Sequence, residues 1–396
     1  MITLGAACLI SLLSFGVRGA FGLFTDPLSR DLGTSREVYS IAIAIQNLCW
    51  GIAQPFAGMV ADRHGARRVL LGGATLYVLG IVGMVFATTP GQIYLTAGVL
   101  AGVGMGGASF VTVLSALGRA MPETHRSWAL GLGTAAGSLG QFVVVPLTQA
   151  VIDLGSWRYG AWALAASTAI IVALAFFVRG DKPLARPAGS RLVSSREIMG
   201  TAFRHPSYIL LVMGFLVCGF QLAFITTHFP PYLSDKGLGA GVASWAIAMV
   251  GLFNVLGAYI AGVWGARYSK KNMLSVIYFS RAAIIAVFIM TPITTMSVLL
   301  FGAAMGLLWL STVPLTSGLV ATFFGTRYMA TLFGVVFFSH QVGSFFGVLM
   351  GGYLFERTGS YDIVWWFCIG LSVLAGFVNL PIRERESQPF SRLAAA

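Results

Sequence analysis

Long apolar runs separated by short polar gaps extend from the start of the chain to about residue 380. A helix that crosses a bilayer needs about 20 mostly apolar residues, and the runs have that length. The pattern predicts twelve membrane-spanning helices, at residues 3–25, 37–61, 69–87, 92–118, 128–152, 157–179, 207–232, 242–266, 272–290, 294–318, 330–353 and 361–380. The first run has no basic leader and carries Arg18 deep inside it, so we expect a retained helix rather than a cleaved signal peptide. The sequence therefore predicts an all-α integral membrane protein.

Composition excludes an ordinary soluble domain, because 57% of the 396 residues are hydrophobic and only 10% are charged. Soluble proteins carry about 25% charged residues. The net charge of +12 would suggest a nucleic-acid partner in a soluble chain. Here the basic residues occupy the gaps between apolar runs, so we expect a bilayer and no nucleic acid. The four cysteines lie within apolar runs without metal or disulfide spacing, and we expect neither a metal nor a cofactor.

The basic residues are distributed unequally between the two sets of alternating gaps. One set, together with the C-terminal tail, holds 18 Lys and Arg residues, and the other set holds five. The positive-inside rule then places both termini in the cytoplasm. The longest polar stretch, 180–206, becomes a cytoplasmic linker between a bundle at 1–179 and a second bundle at 207–382, which is followed by a tail at 383–396.

The two bundles are related by an offset of 204 residues. Matching residues include Pro27 and Pro231, Asp31 and Asp235, Gly33 and Gly237, Ser40 and Ser244, Gly58 and Gly262, and Arg63 and Arg267. Chance identity is common for Gly and Ala, but it is much rarer for Pro, Asp and Arg in register. We infer a duplication that gives two pseudo-symmetric six-helix bundles, a plan that many secondary transporters share.

A motif between the second and third predicted spans carries a family resemblance. Residues 58–68 read G-M-V-A-D-R-H-G-A-R-R, and a degenerate copy follows Gly262, with Ala266 in place of the aspartate. The motif resembles the signature G-x-x-x-D-R-x-G-x-R-R of the major facilitator superfamily, and the resemblance implies that superfamily's fold. It also implies a cytoplasmic gate element formed by Gly58, Asp62, Arg63, Gly65 and Arg67. Asp62 would then lie near a helix N-terminus of the other bundle, while the two arginines brace the outward-open state.

Residues in the first two helices and at the start of the fifth narrow the resemblance to one branch, which implies a location in the bacterial inner membrane. Residues 16–24 and 51–55, together with 126–131 and 136–138, are similar to a bacterial branch near the monocarboxylate and oxalate–formate transporters. The basic residue that this group usually carries in its eighth helix falls on Ala258 here. Proton-coupled drug exporters usually have an arginine in helix four and a Gly-Pro pair in helix five. This chain has Gly98 near the first position and no such pair at 137–140.

Charged residues inside the predicted spans suggest the substrate. All 13 acidic residues fall in loops or at helix ends, whereas Arg18 and Arg281 lie deep within spans. An arginine at that depth costs about 2.5–3.5 kcal/mol on insertion scales and is normally paired. A bound carboxylate would supply the missing countercharge through a bidentate pair. Arg18 is the first candidate, with hydrogen bonding to backbone carbonyls as the alternative, and Arg281 is the second, with packing against Tyr278 as its alternative.

His340 lies near the middle of its predicted span, where an imidazole could bind substrate or carry a proton. Its alternative role is a hydrogen bond between helices. Further candidate substrate contacts, each with the same alternative, are Gln141, Asn47, Gln221 and Asn254. The G-x-G-x-x-G match at 102–107 lies inside an apolar helix and has no preceding strand, so we do not interpret it as a dinucleotide site.

The sequence contains no P-loop, zinc motif or nucleophile elbow, so we expect a transporter driven by gradients rather than an enzyme. The leading hypothesis is import of a small organic anion, with a monocarboxylate first, by proton symport or anion exchange. Efflux of a drug or hydrophobic metabolite is the alternative. A substrate sensor that has lost transport is a third class, against which the intact signature argues. We expect a monomer.

Overall fold

The computed structural model describes residues 2–109, 112–113, 116–117, 121, 123–178, 195–325 and 329–387. In these ranges the chain is helical and contains no strand. The first half comprises α1 (Ile2–Ala20), a 3-10 turn (Phe21–Phe24), α2 (Thr25–Leu32), α3 (Arg36–His64), α4 (Ala66–Phe86), α5 (Pro90–Ile93), a π-helical stretch (Tyr94–Leu100), α6 (Ala101–Gly107), α7 (Glu123–Asp153) and α8 (Trp157–Ala175).

The second half repeats this order with fewer interruptions. It comprises α9 (Ser195–Ala202), α10 (Pro206–Asp235), α11 (Ala240–Gly265), α12 (Lys270–Met290), α13 (Thr295–Leu308), α14 (Thr312–Phe324), α15 (Met329–Thr358) and α16 (Asp362–Asn379). Helix α9 lies inside the predicted linker, most of which falls outside the described residues. The domain boundaries stay predictions.

Ten helical segments in the described ranges are long and apolar enough to cross a membrane. Two of them are predicted spans interrupted by short breaks, at residues 2–32 and 295–324. Helix α3 is also long, with 29 residues, but it carries several buried amides. The fourth predicted span begins as helix at Pro90 and ends among residues outside the description. The all-α membrane fold is confirmed, and the count of twelve spans stays a prediction.

Helix boundaries support the duplication inferred from sequence. Helices α4 and α12 begin and end 204 positions apart, and α3 and α11 begin with the same offset. In the last part of each half the offset becomes 205, as the starts of α8 and α16 show. The matched Gly33 and Gly237 both have positive φ angles, of 60° and 80°. Both glycines follow a helix and end it in a left-handed conformation that residues with a Cβ rarely adopt.

Glycines let the main helix pairs approach closely. Helix α1 packs along α7 in the first half, and α10 packs along α15 in the second. A Cβ at Gly140 would overlap the carbonyl oxygen of Leu12, and one at Gly343 would overlap that of Leu216. Lipid provides no hydrophobic drive between helices, so backbone approach of this kind contributes dispersion energy that larger residues would prevent.

The two halves meet through four long helices, with α3 packed against α15 and α7 against α11. Near one end, the 3-10 turn of the first half also contacts α10. There the backbone of Gly22 lies against that of Thr226, and a Cβ at Gly22 would overlap the Thr226 carbonyl oxygen. A substrate site between the halves would therefore be bounded by these helices and by this backbone contact.

Gly140→Ala should destabilise the protein, because the added methyl group meets the backbone of α1. We expect a loss of about 1–3 kcal/mol, measured as a lower unfolding temperature of the purified protein in detergent. Gly131→Ala is the matched control on the same helix, since no described atom beyond its own helix backbone lies within 4 Å of its Cβ position. Equal unfolding temperatures for the two variants would contradict this account of α1–α7 packing.

Candidate substrate site

A small cavity lies between the two halves. Its volume is about 10 Å³, and it is lined by Phe15, Arg18, Gly19 and Gln141 from the first half and by Leu222, Thr226 and Trp309 from the second. A cavity of this size has room for about one water molecule. The site is therefore almost closed in this conformation, and it must widen to hold any organic substrate.

Arg18 is the charged residue of this cavity. It stands in the last turn of α1, is half-buried, and its guanidinium lies 4.6 Å from the centre of the Trp50 ring. Within the described part of the chain it makes no hydrogen bond or ion pair. Stacking on an aromatic face stabilises a cation but leaves its N–H donors available. The guanidinium is thus held in position with donors that a bound anion could use.

Equivalent positions of the two halves meet at the cavity, as the repeat offset shows. Arg18 and Leu222 are 204 positions apart and both line the cavity. Gly22 and Thr226 have the same offset, and their backbones touch. The duplication therefore brings equivalent parts of α1 and α10 together at one place. Only the first half supplies a charge to the cavity lining.

Gln141 is the second predicted residue that reaches the cavity. A Cβ at Gly19 would lie 3.0 Å from the Gln141 Cγ, and one at Gly251 would lie 2.8 Å from its Cβ. Glycines on both sides thus leave room for this side chain. The structure brings Arg18 and Gln141 together in the cavity lining, and their contact with substrate stays a prediction.

Arg281 lies elsewhere, fully enclosed in the second half. Its Nη2 donates to the carbonyl oxygens of Leu308 (2.6 Å) and Trp309 (2.7 Å), and its Nη1 donates to Cys218 Sγ (3.3 Å). The Tyr278 ring centre is 5.4 Å from its guanidinium carbon. These contacts match the packing alternative. Arg281 is not among the residues that line the cavity, and its predicted contact with substrate stays a prediction.

His340 is almost fully buried and also lies outside the cavity lining. Its Nδ1 is 3.2 Å from Gln341 Oε1, and its ring stacks on Phe337 at a centroid distance of 6.0 Å. The arrangement places a titratable ring between α15 and α10, because Phe215 of α10 lies 5.0 Å away on another side. Its roles in substrate binding and proton coupling remain predictions.

The other three predicted amides hydrogen-bond to the protein itself. They are Asn47, which donates to Ile43 O (2.8 Å); Gln221, which donates to Cys368 O (2.8 Å) and to Ser372; and Asn254, which donates to Ser138 Oγ (2.8 Å). All three are outside the cavity lining. The bond made by Asn254 crosses between the halves, from α11 to α7. These residues act as polar contacts within and between helices in this conformation.

The apolar residues that line the cavity were not predicted from the sequence, because only polar and charged side chains were candidates for substrate contact. Phe15, Leu222 and Trp309 lie in long apolar runs where nothing distinguishes them from lipid-facing residues. The repeat offset could have identified Leu222 as the partner position of Arg18. Trp309 had no such signal, because its place in the wall depends on an interruption of the helix that contains it.

A cluster of charges joins the halves at one end. Arg36, the first residue of α3, pairs with Asp235 through two contacts of 2.6 and 2.7 Å and with Asp26 at 2.6 Å. Its backbone N–H donates to Glu356 Oε1 at 3.0 Å. We call these four residues the Arg36 cluster. Because Asp235 and Glu356 belong to the second half, the cluster holds the two halves together at this end.

The repeat partner of Asp235 has a different role. Asp31 pairs with Arg158 at 2.7 Å and accepts a hydrogen bond from Trp157 Nε1 at 3.1 Å, both within the first half. Of the two equivalent aspartates, Asp31 therefore stabilises its own half, and Asp235 connects the two halves. Sequence placed both in polar loops, and their partners could not be read from spacing.

The opposite end carries the signature motif at 58–68. Gly65 links α3 to α4 with a φ of 90°, a conformation that favours glycine, and Arg67 lies 4.8 Å from the Phe176 ring centre. The side chains of Asp62 and Arg63 lie outside the described residues. Among the described residues, four glycines near this end, one on each interface helix, would have no atom beyond their own helix backbone within 4 Å of an added Cβ: Gly58, Gly131, Gly262 and Gly334.

Two duplicated helical bundles with a cavity between them are typical of one class of protein, the membrane transporters built from repeated halves. The family profile of the Major Facilitator Superfamily matches residues 7–348. The chain belongs to the major facilitator superfamily.

Relatives and solved structures agree with this assignment. The chain is 25% identical to the uncharacterized MFS-type transporter YcxA of Bacillus subtilis (strain 168), over 93% of this chain and 92% of that protein. It is 25% identical to monocarboxylate transporter 11 of Homo sapiens, over 96% and 82% of the two chains. In fold it is similar to the nucleoside transporter NupG, with a TM-score of 0.77, 16% identity and coverage of 96% and 99%. The D-xylose-proton symporter gives a TM-score of 0.74, with 14% identity and 96% coverage of each chain.

Asp235→Asn should open the closed end more often, because it removes the charge that pairs with Arg36 across the halves. Thr227 is nearly buried at this end, and only its backbone oxygen accepts the bond from Thr25. In a background without the native cysteines, alkylation of a Thr227→Cys variant should become roughly fivefold faster, which corresponds to about 1 kcal/mol. Asp31→Asn is the control, and the same acceleration in that variant would show that the effect is not specific to the closure.

Proposed function

We propose that this transporter moves a small organic anion, with a short monocarboxylate as the leading class. The observation that carries the proposal is the position of Arg18. It lines a cavity between the halves, and its guanidinium has no hydrogen-bond or ion-pair partner among the described residues. A carboxylate fits this group because its two oxygens accept two parallel N–H bonds. The ion pair would form in a site almost free of water, where electrostatic attraction is stronger than in bulk solvent.

The rest of the cavity wall supports one carboxylate and an apolar body. Gln141 and Thr226 offer hydrogen bonds at two points, and the remaining side chains are those of Phe15, Leu222 and Trp309. A dicarboxylate would bring a second charge with no second cation among the lining residues. The low-identity relatives named as monocarboxylate transporters also support this substrate class.

Transport would proceed by alternating access in the bacterial inner membrane. In the conformation described, the Arg36 cluster joins the halves, so substrate would exchange at the signature end once the cavity widens there. In the opposite state the cluster would separate, and the signature residues Asp62, Arg63 and Arg67 would brace the other end. The substrate must bind the two access states with similar affinity, because a much tighter complex in one state would stop the transport cycle.

Coupling would occur by proton symport or by anion exchange. His340 is the buried imidazole that we propose as the proton carrier in symport. In that case His340→Gln should retain exchange of internal for external substrate but lose its response to a proton gradient. Measuring both modes in the same proteoliposomes checks this expectation. An unchanged gradient response would remove His340 from the coupling mechanism.

The main test is uptake of labelled acetate, lactate and pyruvate into proteoliposomes, with and without an inward proton gradient. Arg18→Gln should reduce saturable uptake at least tenfold, because it removes the charge that binds the carboxylate; this corresponds to about 1.4 kcal/mol or more. Arg18→Lys should retain part of the activity, since lysine keeps the charge without the planar fork.

Arg158→Gln is the matched control, because Arg158 pairs with Asp31 away from the cavity. Normal carboxylate uptake by Arg18→Gln would overturn the proposed function. If no carboxylate is transported while neutral or cationic lipophiles are, efflux of hydrophobic compounds becomes the better account.

A further inference from the structure

A break in the helix at residues 309–311 supplies a wall of the cavity. Helix α13 ends at Leu308 and α14 begins at Thr312, so the predicted tenth span is two helices rather than one. The end of a helix leaves carbonyl groups without partners, which is costly at membrane depth unless other groups satisfy them. Trp309 is the first residue of this break, and it lines the cavity on the side of the second half.

Two side chains from neighbouring helices satisfy the broken backbone. Arg281 of α12 donates through one nitrogen to the carbonyl oxygens of Leu308 and Trp309. The Leu310 N–H donates to Asn254 Oδ1 of α11 at 2.9 Å. The guanidinium thus lies at the carbonyl end of α13, where the helix dipole favours a positive charge. This explains how a fully enclosed arginine is accommodated without a carboxylate among its described contacts.

From these contacts we infer that Arg281 is a positioning residue that fixes Trp309 in the cavity wall and so limits the size of the substrate. This inference rests on the proposed function. Arg281 acts on the peptide groups on both sides of Trp309 rather than on the substrate. Its own guanidinium is further held by Cys218 and by the Tyr278 ring. Trp309 therefore lines the cavity from a backbone that is held on both sides of it, at the Leu308 and Trp309 carbonyls and at the Leu310 N–H.

Asn254 extends the arrangement to the other half. While its oxygen accepts from Leu310, its nitrogen donates to Ser138 Oγ of α7 at 2.8 Å. Ser138 lies three residues before Gln141, close to one helical turn, and Gln141 lines the cavity. The position of the Trp309 wall is therefore tied to the half that carries Arg18, as well as to its own half.

Comparison of equivalent positions in the two halves shows that this combination of an arginine and a tryptophan is specific to the second half. The position equivalent to Arg281 is Tyr77, which is fully buried and whose hydroxyl has no hydrogen-bond partner among the described residues. With the offset of 205, the position equivalent to Trp309 is Gly104. Gly104 packs against the Tyr77 backbone. The arginine and the tryptophan thus occur together in one half and are both replaced in the other.

The first arm of the test needs no substrate. Hydrogen–deuterium exchange of amides 306–313 is compared in the wild type, Arg281→Gln, Arg281→Lys and the control Ser275→Ala. Ser275 is a buried residue of the same helix that bonds only to Lys271 O in its own helix. We expect exchange to accelerate at least tenfold in Arg281→Gln, less in Arg281→Lys, and to stay unchanged in the control. Wild-type exchange in Arg281→Gln would overturn the inference.

The second arm compares KM for acetate and hexanoate in proteoliposomes. Trp309→Ala should shift preference toward the longer chain at least fivefold, and Trp309→Phe should shift it less. Arg281→Gln should produce a shift in the same direction, and the double variant should add little to it, because both changes affect one wall. Arg281→Lys provides a second, milder variant if Arg281→Gln is poorly folded.

Other outcomes would overturn the inference in recognisable ways. Equal losses for both acids in Arg281→Gln, additive with Trp309→Ala, would make Arg281 a direct substrate ligand. A lower unfolding temperature with an unchanged ratio of KM values would leave it a structural residue only. If the wild type transports no carboxylate, the proposed function fails, and the exchange experiment still decides whether Arg281 fixes the break.

Discussion

The membrane interior offers no water to a polar group, so each buried donor and acceptor needs a partner inside the protein. Most polar side chains of the described core meet this condition: Gln221, Asn47 and Asn254 bond to backbone or hydroxyl groups, and Arg281 bonds to the end of a helix. Among the described residues, Arg18 has only the face of Trp50. A charge whose donors are left unused, beside a cavity that both halves line, gives the substrate hypothesis its physical basis.

The duplication gives two halves with the same arrangement of helices, and the side chains at a few equivalent positions make the halves chemically different. Position 18 and its partner at 222 both line the cavity, yet one is an arginine and the other a leucine. Asp31 supports its own half, whereas Asp235 reaches across to the other. The helix bounds repeat to within a residue in several places, so these differences arise from side chains on a shared frame rather than from different frames. Function in such a protein can diverge while packing is kept.

The all-α membrane fold followed from the sequence, because apolar length and the repeat offset can both be read along the chain. The sequence also singled out Arg18, which lines the cavity, while its role in substrate binding stays a prediction. Three features did not follow from the sequence. The break at 309–311 has no glycine or proline within it and lies inside an apolar run, so periodicity cannot detect it. The partners of Arg281 are backbone carbonyls, which no sequence motif marks. The Arg36 cluster joins residues about 200 and 320 positions apart, at helix ends whose meeting depends on the conformation.

The Arg36 cluster lies among charged groups of both signs at the end where the halves meet. Arg36 pairs with Asp26 and Asp235, and Arg30 lines the same pocket as Asp26 and Glu356. Attraction between partly exposed charges is screened by salt over about a Debye length, roughly 8 Å at physiological ionic strength. The equilibrium between the joined and separated states of this end therefore depends on ionic strength, and a rise in salt concentration favours separation.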